Sequence, residues 1–215
     1  MIDKANRPNF RRHALILVLA ALLPTACIGP RSTSDPVYYY TLEEAAEPPH
    51  FQRRLPQVVR VERFTANPPF NSQHIVYADK GLHRNTYAHF RWIAPPGELF
   101  SFFLTRYLQQ SEAFKAVLPP DASTPPTHHV HGWIETFLEE DYKDPAQASL
   151  SVNISLIDGH NPDPVQRLIF QKRYHTKAPC NDKTPAALSE AMSKAAASLS
   201  AQIAKDIHEY LSKVN

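Results

Sequence analysis

Hydrophobic and polar residues alternate cleanly along the chain between positions 148 and 158. Every second position there is large and aliphatic, and the intervening positions are small and polar: Leu150, Val152, Ile154 and Leu156 against Ser149, Ser151, Asn153 and Ser155. Because successive side chains of a strand point to opposite faces of a sheet, the pattern predicts a strand with one buried and one solvated face. Runs 128–138 and 165–176 flank it, and the short links between the three runs predict an antiparallel meander.

Shorter stretches rich in β-branched and aromatic residues predict further strands before this meander. They cover residues 37–42, 58–64, 74–78, 82–87 and 114–118. The turn sequence Asp79-Lys80-Gly81 predicts a hairpin between the third and fourth of these strands. Residues 65–72, which include two adjacent prolines, predict an irregular connection.

Two segments carry apolar residues at the spacing of an α-helix. The first follows Pro95-Pro96 and repeats large apolar residues from Leu99 to Leu108, and the second is capped by Thr184 and continues to Val214. We therefore predict an α+β fold: a two-layer domain with a mostly antiparallel β-sheet and two main helices packed on it, the longer one C-terminal.

The first 27 residues resemble an export leader that ends in a lipid anchor. A basic segment with Arg11 and Arg12 precedes a short apolar run, and small residues lead into Cys27. The run is about half of the roughly 20 residues needed to span a bilayer. This order is similar to the lipobox of bacterial lipoproteins, although Pro24 stands where an aliphatic residue is usual. The alternative is ordinary signal cleavage, which leaves a soluble periplasmic protein.

The leader divides the chain into three predicted parts. Residues 1–26 form a signal peptide, residues 27–36 a lipidated cysteine and tether, and residues 37–215 a single domain. Ile28, rather than Asp, follows the cysteine. In enterobacterial lipoproteins an Asp there favours retention in the inner membrane, so the sequence favours the outer membrane, with the domain facing the periplasm.

Composition argues against several function classes. Four of the 23 basic and one of the 21 acidic residues lie in the leader, which leaves the mature chain with a net charge of −1. Such a balance lacks the basic surface of a nucleic-acid-binding protein. The chain has 5 glycines and no glycine-rich phosphate loop. We therefore predict no nucleotide cofactor, and no other cofactor is indicated.

Two clusters of residues are candidates for a metal-binding or catalytic site. On a strand, His129 and His131 would face the same way and could share a metal ion, but no recognisable spacing supplies a third ligand. Polar strand residues near a sheet edge are the simpler interpretation, so no metal site is assigned. The acidic run Glu139-Glu140-Asp141 predicts a solvated turn. No nucleophile motif is present, and we predict no catalytic residues and no enzyme activity.

Cys180 is the second of two cysteines. If Cys27 carries lipid, Cys180 has no intramolecular partner. Its neighbours Pro179 and Asn181 indicate a loop. An ordinary loop residue is favoured over an exposed free thiol or an intermolecular bridge.

Several short segments occur in the order typical of one family. They are Tyr38-Tyr39-Tyr40-Thr41-Leu42, Val58-Val59-Arg60-Val61, Asn71-Ser72-Gln73-His74-Ile75-Val76-Tyr77, Trp92-Ile93-Ala94-Pro95-Pro96 and Ser111-Glu112-Ala113-Phe114-Lys115-Ala116-Val117. Together with the leader, they resemble the ABC-type transport auxiliary lipoproteins, the PqiC-like family. One departure is Ala78, where a basic residue often stands.

The resemblance implies a non-catalytic subunit of an intermembrane lipid transport system. Its partners would be a periplasmic MCE-domain protein and inner-membrane transport subunits, and it would dock the periplasmic component at the outer membrane. A homo-oligomer is compatible with this role. Aromatic residues dominate interface hot spots, so Tyr38, Tyr40, Trp92 and Pro95 are candidate partner-binding residues, although they could equally belong to the core.

Two other functions stay open from sequence. The chain could be an envelope-assembly lipoprotein that binds a different partner, such as an outer-membrane protein or a cell-wall synthase. It could also be a periplasmic metal-binding protein that uses His129 and His131.

Overall fold

A computed structural model of the chain describes residues 35–43 and 50–213. From Pro36 onward the described residues belong to one compact unit. The predicted signal peptide, Cys27 and most of the tether lie outside the described residues, as does Val214 at the end of the second helical pattern.

The described residues contain nine strands, one 3₁₀ turn and two α-helices. The strands are β1 (Tyr38–Tyr40), β2 (Leu55–Val61), β3 (Thr65–Ala66), β4 (His74–Ala78), β5 (Asn85–Trp92), β6 (Phe114–Leu118), β7 (His128–Glu140), β8 (Gln147–Asp158) and β9 (Leu168–Pro179). The 3₁₀ turn is Pro68–Phe70, and the helices are α1 (Pro96–Gln110) and α2 (Pro185–Lys213). The predicted α+β class, with the longer helix C-terminal, is confirmed.

Strand β7 is the centre of the sheet. One of its edges pairs antiparallel with β8 from His128 to Glu140. Its other edge pairs in parallel with β2, then β3, then β4, which lie one after another along it. The segment predicted to be irregular therefore contains β3, a two-residue strand that sequence could not reveal because its pairing partner is remote.

The sheet is mixed. The predicted meander β7–β8–β9 is confirmed and forms the longest ladders, all antiparallel. Among the described residues, however, five of the eight strand pairings are parallel, and these are shorter. Three of the parallel pairs join β2, β3 and β4 to β7, and the other two join β1 to β5 and β2 to β6.

Both helices pack on the sheet and on each other. Helix α1 contacts β2, β3, β6 and β7, and α2 contacts β8, β9 and α1. Pro95 and Pro96 begin α1, and Glu98 lies in its first turn, where the helix dipole favours a negative charge. The Ala187 N–H donates to Thr184 Oγ1 at 3.2 Å, which confirms the predicted N-cap of α2.

The observed bounds of β2 and β5 differ from the predicted strands 58–64 and 82–87. Strand β2 begins at Leu55, and Pro56 is accommodated beside a register shift, where a missing backbone donor is tolerated. Strand β5 begins at Asn85 because Asp79 Oδ1 accepts from the Lys80 N–H and lies 2.9 Å from His83 Nδ1, which lengthens the turn.

The predicted solvated face of β8 is wrong near its start. Ser149 and Ser151 are buried. The Ser151 hydroxyl donates to Glu135 at 2.9 Å, and Arg173 and Asn153 donate to the same carboxylate. Cross-strand partners on β7 and β9 thus cover and satisfy the serine, a contact that alternation within one strand cannot indicate.

Gly132 leaves room for the Phe64 ring beside the central strand β7. A Cβ atom at this position would lie 2.2 Å from Cε2 and 2.3 Å from Cδ2 of Phe64. Phe64 itself is buried and packs against Phe100 of α1, with ring centroids 6.0 Å apart. The absence of a side chain on β7 therefore allows the connection after β2 to join the core.

We expect Gly132→Ala to lower the free energy of unfolding by about 1–3 kcal/mol, because the added methyl group overlaps the Phe64 ring. Urea denaturation of the purified protein measures this loss. In a Phe64→Leu background the smaller side chain leaves room, so the same substitution should cost less. An equal cost in both backgrounds would show that the ring contact is not the cause.

Candidate functional site

The sequence-based interface candidates lie in different environments. Tyr38 is exposed and stacks on Phe90 with ring centroids 5.8 Å apart. Tyr40 is partly buried and also contacts Phe90. Pro95 is partly buried at the entry to α1.

Trp92 belongs to the core. Its side chain is 1% exposed and meets Phe137 of β7 edge-on, with ring centroids 5.2 Å apart. Its backbone N–H donates to the Gln73 carbonyl at 2.8 Å. Trp92 therefore stabilises the attachment of β5 to the centre of the domain, and its side chain offers no surface to a partner.

An apolar groove lies along α1, and we call it the α1 groove. It has a volume of about 540 Å³. Its walls are the residues after β1, the residues after β5, one side of α1 and Pro119: Thr41, Leu42, Ile93, Ala94, Glu98, Leu99, Phe102, Phe103, Thr105, Arg106, Gln109 and Pro119. The walls are mostly hydrocarbon, so the groove suits an apolar side chain or an acyl chain.

Two large side chains in this groove face solvent. Ile93 is 53% exposed and Phe102 is 43% exposed. Phe102 lies on the solvent-facing side of α1, whereas Leu99 and Phe103 of the same helix are buried. Single exposed apolar residues are common, but two that share a groove form a candidate contact surface. Neither exposure is evident from the sequence, because Phe102 is one of several large apolar residues between Leu99 and Leu108 and nothing in the residue pattern distinguishes Ile93.

A second candidate site lies across β2 and β7. Ligand atoms of Glu62, His129 and His131 all lie within 4.8 Å of one another, and we call this group the Glu62–histidine cluster. His129 Nδ1 is 2.6 Å from Glu62 Oε1. The two imidazole rings are stacked with centroids 6.1 Å apart, as expected for side chains on one face of a strand.

Strand pairing brings the third member to the histidines. The Glu62 N–H donates to the Val130 carbonyl at 2.9 Å, which fixes the end of β2 between the two histidines. Glu62 and His129 are 67 positions apart in the chain. Their proximity depends on the parallel register of β2 and β7, and this register cannot be inferred from the spacing of residues in the sequence. The predicted edge position is wrong, since β7 has partners on both sides.

Electrostatics favour a neutral imidazole in this cluster. Desolvation lowers the pKa of His131, the Glu62 carboxylate partly offsets that effect, and His129 lowers it further. A neutral imidazole keeps a lone pair for a metal ion or a hydrogen-bond donor. His128 takes no part, since its Nδ1 lies 2.8 Å from Thr127 Oγ1.

Glu139 is buried rather than part of a solvated turn, so that prediction is wrong. It lies on β7 with no exposed surface, and Tyr87 donates its hydroxyl to Glu139 Oε2 at 2.6 Å. The pKa of Glu139 is raised, mainly because burial disfavours the charged carboxylate. The hydrogen bond from Tyr87 opposes this shift, the negative charge of Asp141 adds to it, and the positive charge of Lys183 opposes it. The other carboxylate oxygen, Oε1, is buried without a hydrogen-bond partner.

Cys180 is buried directly after β9. Its backbone N–H donates to the Ala146 carbonyl at 2.7 Å, and within residues 35–43 and 50–213 the side chain forms no disulfide. Burial raises the pKa of the thiol to about 11, with a further increase from Glu139. The thiol therefore stays protonated at neutral pH, and its burial contradicts the alternative of an exposed or intermolecularly bridged cysteine.

Among the two α-helices that the structure describes, neither combines the length and apolar character needed to cross a bilayer.

The fold places the chain in a class of small α+β domains already seen in solved structures. A protein from Xanthomonas campestris, XCC0632, has a TM-score of 0.73 at 13% identity, over 82% of this chain and 98% of its own. A second, uncharacterised protein has a TM-score of 0.62 at 15% identity, over 80% of this chain and 99% of its own. At these identities the likeness concerns the fold alone.

The family can be named from sequence. The profile described as "ABC-type transport auxiliary lipoprotein component" matches residues 40–204. The chain therefore belongs to this family, which confirms the resemblance. No curated protein matches the chain in sequence.

The buried carboxylate of Glu139 predicts a specific pH dependence of stability. Its pKa is raised above the ordinary value of 4.5, so the folded state binds the proton more tightly than the unfolded chain. The free energy of unfolding should therefore gain a contribution from this residue as pH falls through the raised pKa, and this contribution is fully present only below the unfolded-state pKa of 4.5. We expect Glu139→Gln to remove that contribution, measured by urea denaturation between pH 7.5 and pH 4.5.

Tyr87→Phe is the matched control. It removes the hydrogen bond that lowers the pKa of Glu139, so the pH dependence should become steeper rather than flatter. Identical pH profiles for wild type and Glu139→Gln would contradict the assignment.

Proposed function

We propose that this chain is a non-catalytic auxiliary lipoprotein of an MCE/ABC-type intermembrane lipid transport system. In this role it docks the periplasmic MCE-domain component at the outer membrane. The observation that carries the proposal is the α1 groove, an exposed apolar surface on a domain whose family is an auxiliary component of ABC-type transport.

The α1 groove suits a protein segment better than a small polar substrate. Its apolar walls supply few hydrogen bonds that could orient a polar ligand, whereas Ile93 and Phe102 offer hydrocarbon to a neighbouring surface. Interfaces typically centre on a few such side chains within a polar rim. Glu98 and Arg106 line the groove beside them and supply that rim.

Tyr38 and Pro95 extend the candidate surface. The backbone N–H of Ile93 donates to the Tyr40 carbonyl at 2.8 Å, so β1 lies directly beside the start of the groove. Tyr38 on the same strand is exposed. We include Tyr38 and Pro95 in the proposed contact and leave out Trp92, whose side chain is buried.

Acylation of Cys27 would restrict where the domain can act. Tyr38 lies eleven positions after Cys27 in the sequence, and an extended chain spans at most about 3.6 Å per residue. The first strand would then stay within about 40 Å of the membrane surface. A short tether of this kind favours a docking subunit over a protein that diffuses across the periplasm.

The docking surface is tested with charged substitutions in the α1 groove. We expect the double variant Ile93→Glu and Phe102→Glu to reduce co-purification with the MCE-domain protein at least about tenfold, because buried unpaired charges oppose apolar association. Leu82→Glu is the matched control, since Leu82 is 95% exposed in the β4–β5 turn. Unchanged recovery with the groove variant would reject this surface, and failure of the wild type to recover the MCE-domain protein would reject the transport role.

The anchor is tested with Cys27→Ser. Lipid processing needs the cysteine thiol, so the variant should leave the outer-membrane fraction while the wild type stays in it. Mass spectrometry of the wild-type N-terminus should show an acylated Cys27. An unmodified N-terminus would instead support ordinary signal cleavage and a soluble periplasmic protein.

A further inference from the structure

We propose that the Glu62–histidine cluster binds a divalent transition-metal ion, with Glu62, His129 and His131 as its protein ligands. The three residues supply one carboxylate oxygen and two imidazole nitrogens, a donor set typical of zinc sites that keep an open position. This inference is independent of the transport role.

The ligand atoms are close enough to converge on one small ion after small side-chain movements. They lie within 4.8 Å of one another, whereas two ligands on a tetrahedral ion with bonds of about 2.0–2.1 Å are about 3.3 Å apart. His129 Nδ1 and Glu62 Oε1 are at a hydrogen-bond distance of 2.6 Å and would separate by less than 1 Å when an ion replaces the proton between them. A ligand atom as far away as 4.8 Å would move inward by about 1.5 Å.

Existing contacts already position two of the ligands. Glu62 is fixed by the hydrogen bond of its N–H to Val130, the residue between the two histidines. The Nδ1 edge of His129 lies 2.6 Å from Glu62 Oε1, so little ordering of these two side chains is required when a metal ion binds.

The third ligand opens the site to solvent. His131 is exposed and lines a shallow cleft of about 420 Å³ together with Trp133 and Asn153. Water or an external ligand can therefore complete the coordination from this side. Arg63 also lines the cleft, but its guanidinium lies 3.4 Å from Glu98 and 3.2 Å from Asp121, and those carboxylates offset its positive charge.

The test is Zn²⁺ binding to the purified full-length protein in detergent, after removal of metal by dialysis against a chelator. Equilibrium dialysis with elemental analysis should give one Zn²⁺ per chain, and excess Mg²⁺ should not displace it, since imidazole favours transition metals. Absence of stoichiometric Zn²⁺ binding would overturn the proposal.

Variants decide which residues hold the ion. We expect His131→Ala and Glu62→Gln each to weaken Zn²⁺ binding about tenfold or more, while His175→Ala does not change it. His175 is a matched control because it is an exposed histidine on β9. Equal affinity of His131→Ala and wild type would overturn the assignment, and the exposure of His131 makes this variant the least disruptive to folding.

A second measurement separates ligation from a structural effect. Zn²⁺ should raise the melting temperature of the wild type and of His175→Ala more than that of His131→Ala at the same Zn²⁺ concentration, because a weaker site stabilises the folded state less. X-ray absorption at the zinc edge should show two imidazole ligands, and a spectrum without histidine would contradict the site.

Discussion

The structure depends on the pairing of β7 along both of its edges. One edge is occupied by β8 over the whole strand, and the other is divided among β2, β3 and β4. This arrangement keeps the central strand free of an open edge, which would otherwise invite pairing with another chain. It also imposes the parallel register that brings Glu62 to His129 and seats Phe64 over Gly132. Both features result from the pairing of β7 with β2 and β3, which precede it by some 60 positions in the sequence.

The same central strand separates two kinds of environment. Val130, Ile134 and Phe137 enter the core beneath the helices, whereas His131 and Trp133 face solvent. Glu139 is the exception, since it is a carboxylate on the buried side held by the Tyr87 hydroxyl. The α1 groove is therefore apolar and the Glu62–histidine cluster is polar, and neither site requires the other.

The elements that sequence predicted well are those specified by local periodicity. The apolar spacing of α1 and α2 and the alternation in β8 depend only on neighbouring residues, and the structure has these elements close to their expected positions. What sequence missed is non-local. Strand β3, the burial of Ser151 and the burial of Glu139 each result from a partner more than ten positions away. Glu62 illustrates the limit most clearly, because the histidine pair was visible from spacing and its third member depended on strand register.

A fold that persists at 13–15% identity places few demands on exposed residues. The core and the β7 pairings specify the domain, and unrelated surface chemistry can be added to such a scaffold. Chemistry specific to this chain is therefore sought among exposed side chains, which include Ile93 and Phe102 in the α1 groove and His131 on β7. The docking role that we propose for Ile93 and Phe102 rests on the α1 groove and on the family's description as an auxiliary transport component, whereas the metal-binding hypothesis for His131 rests on geometry alone.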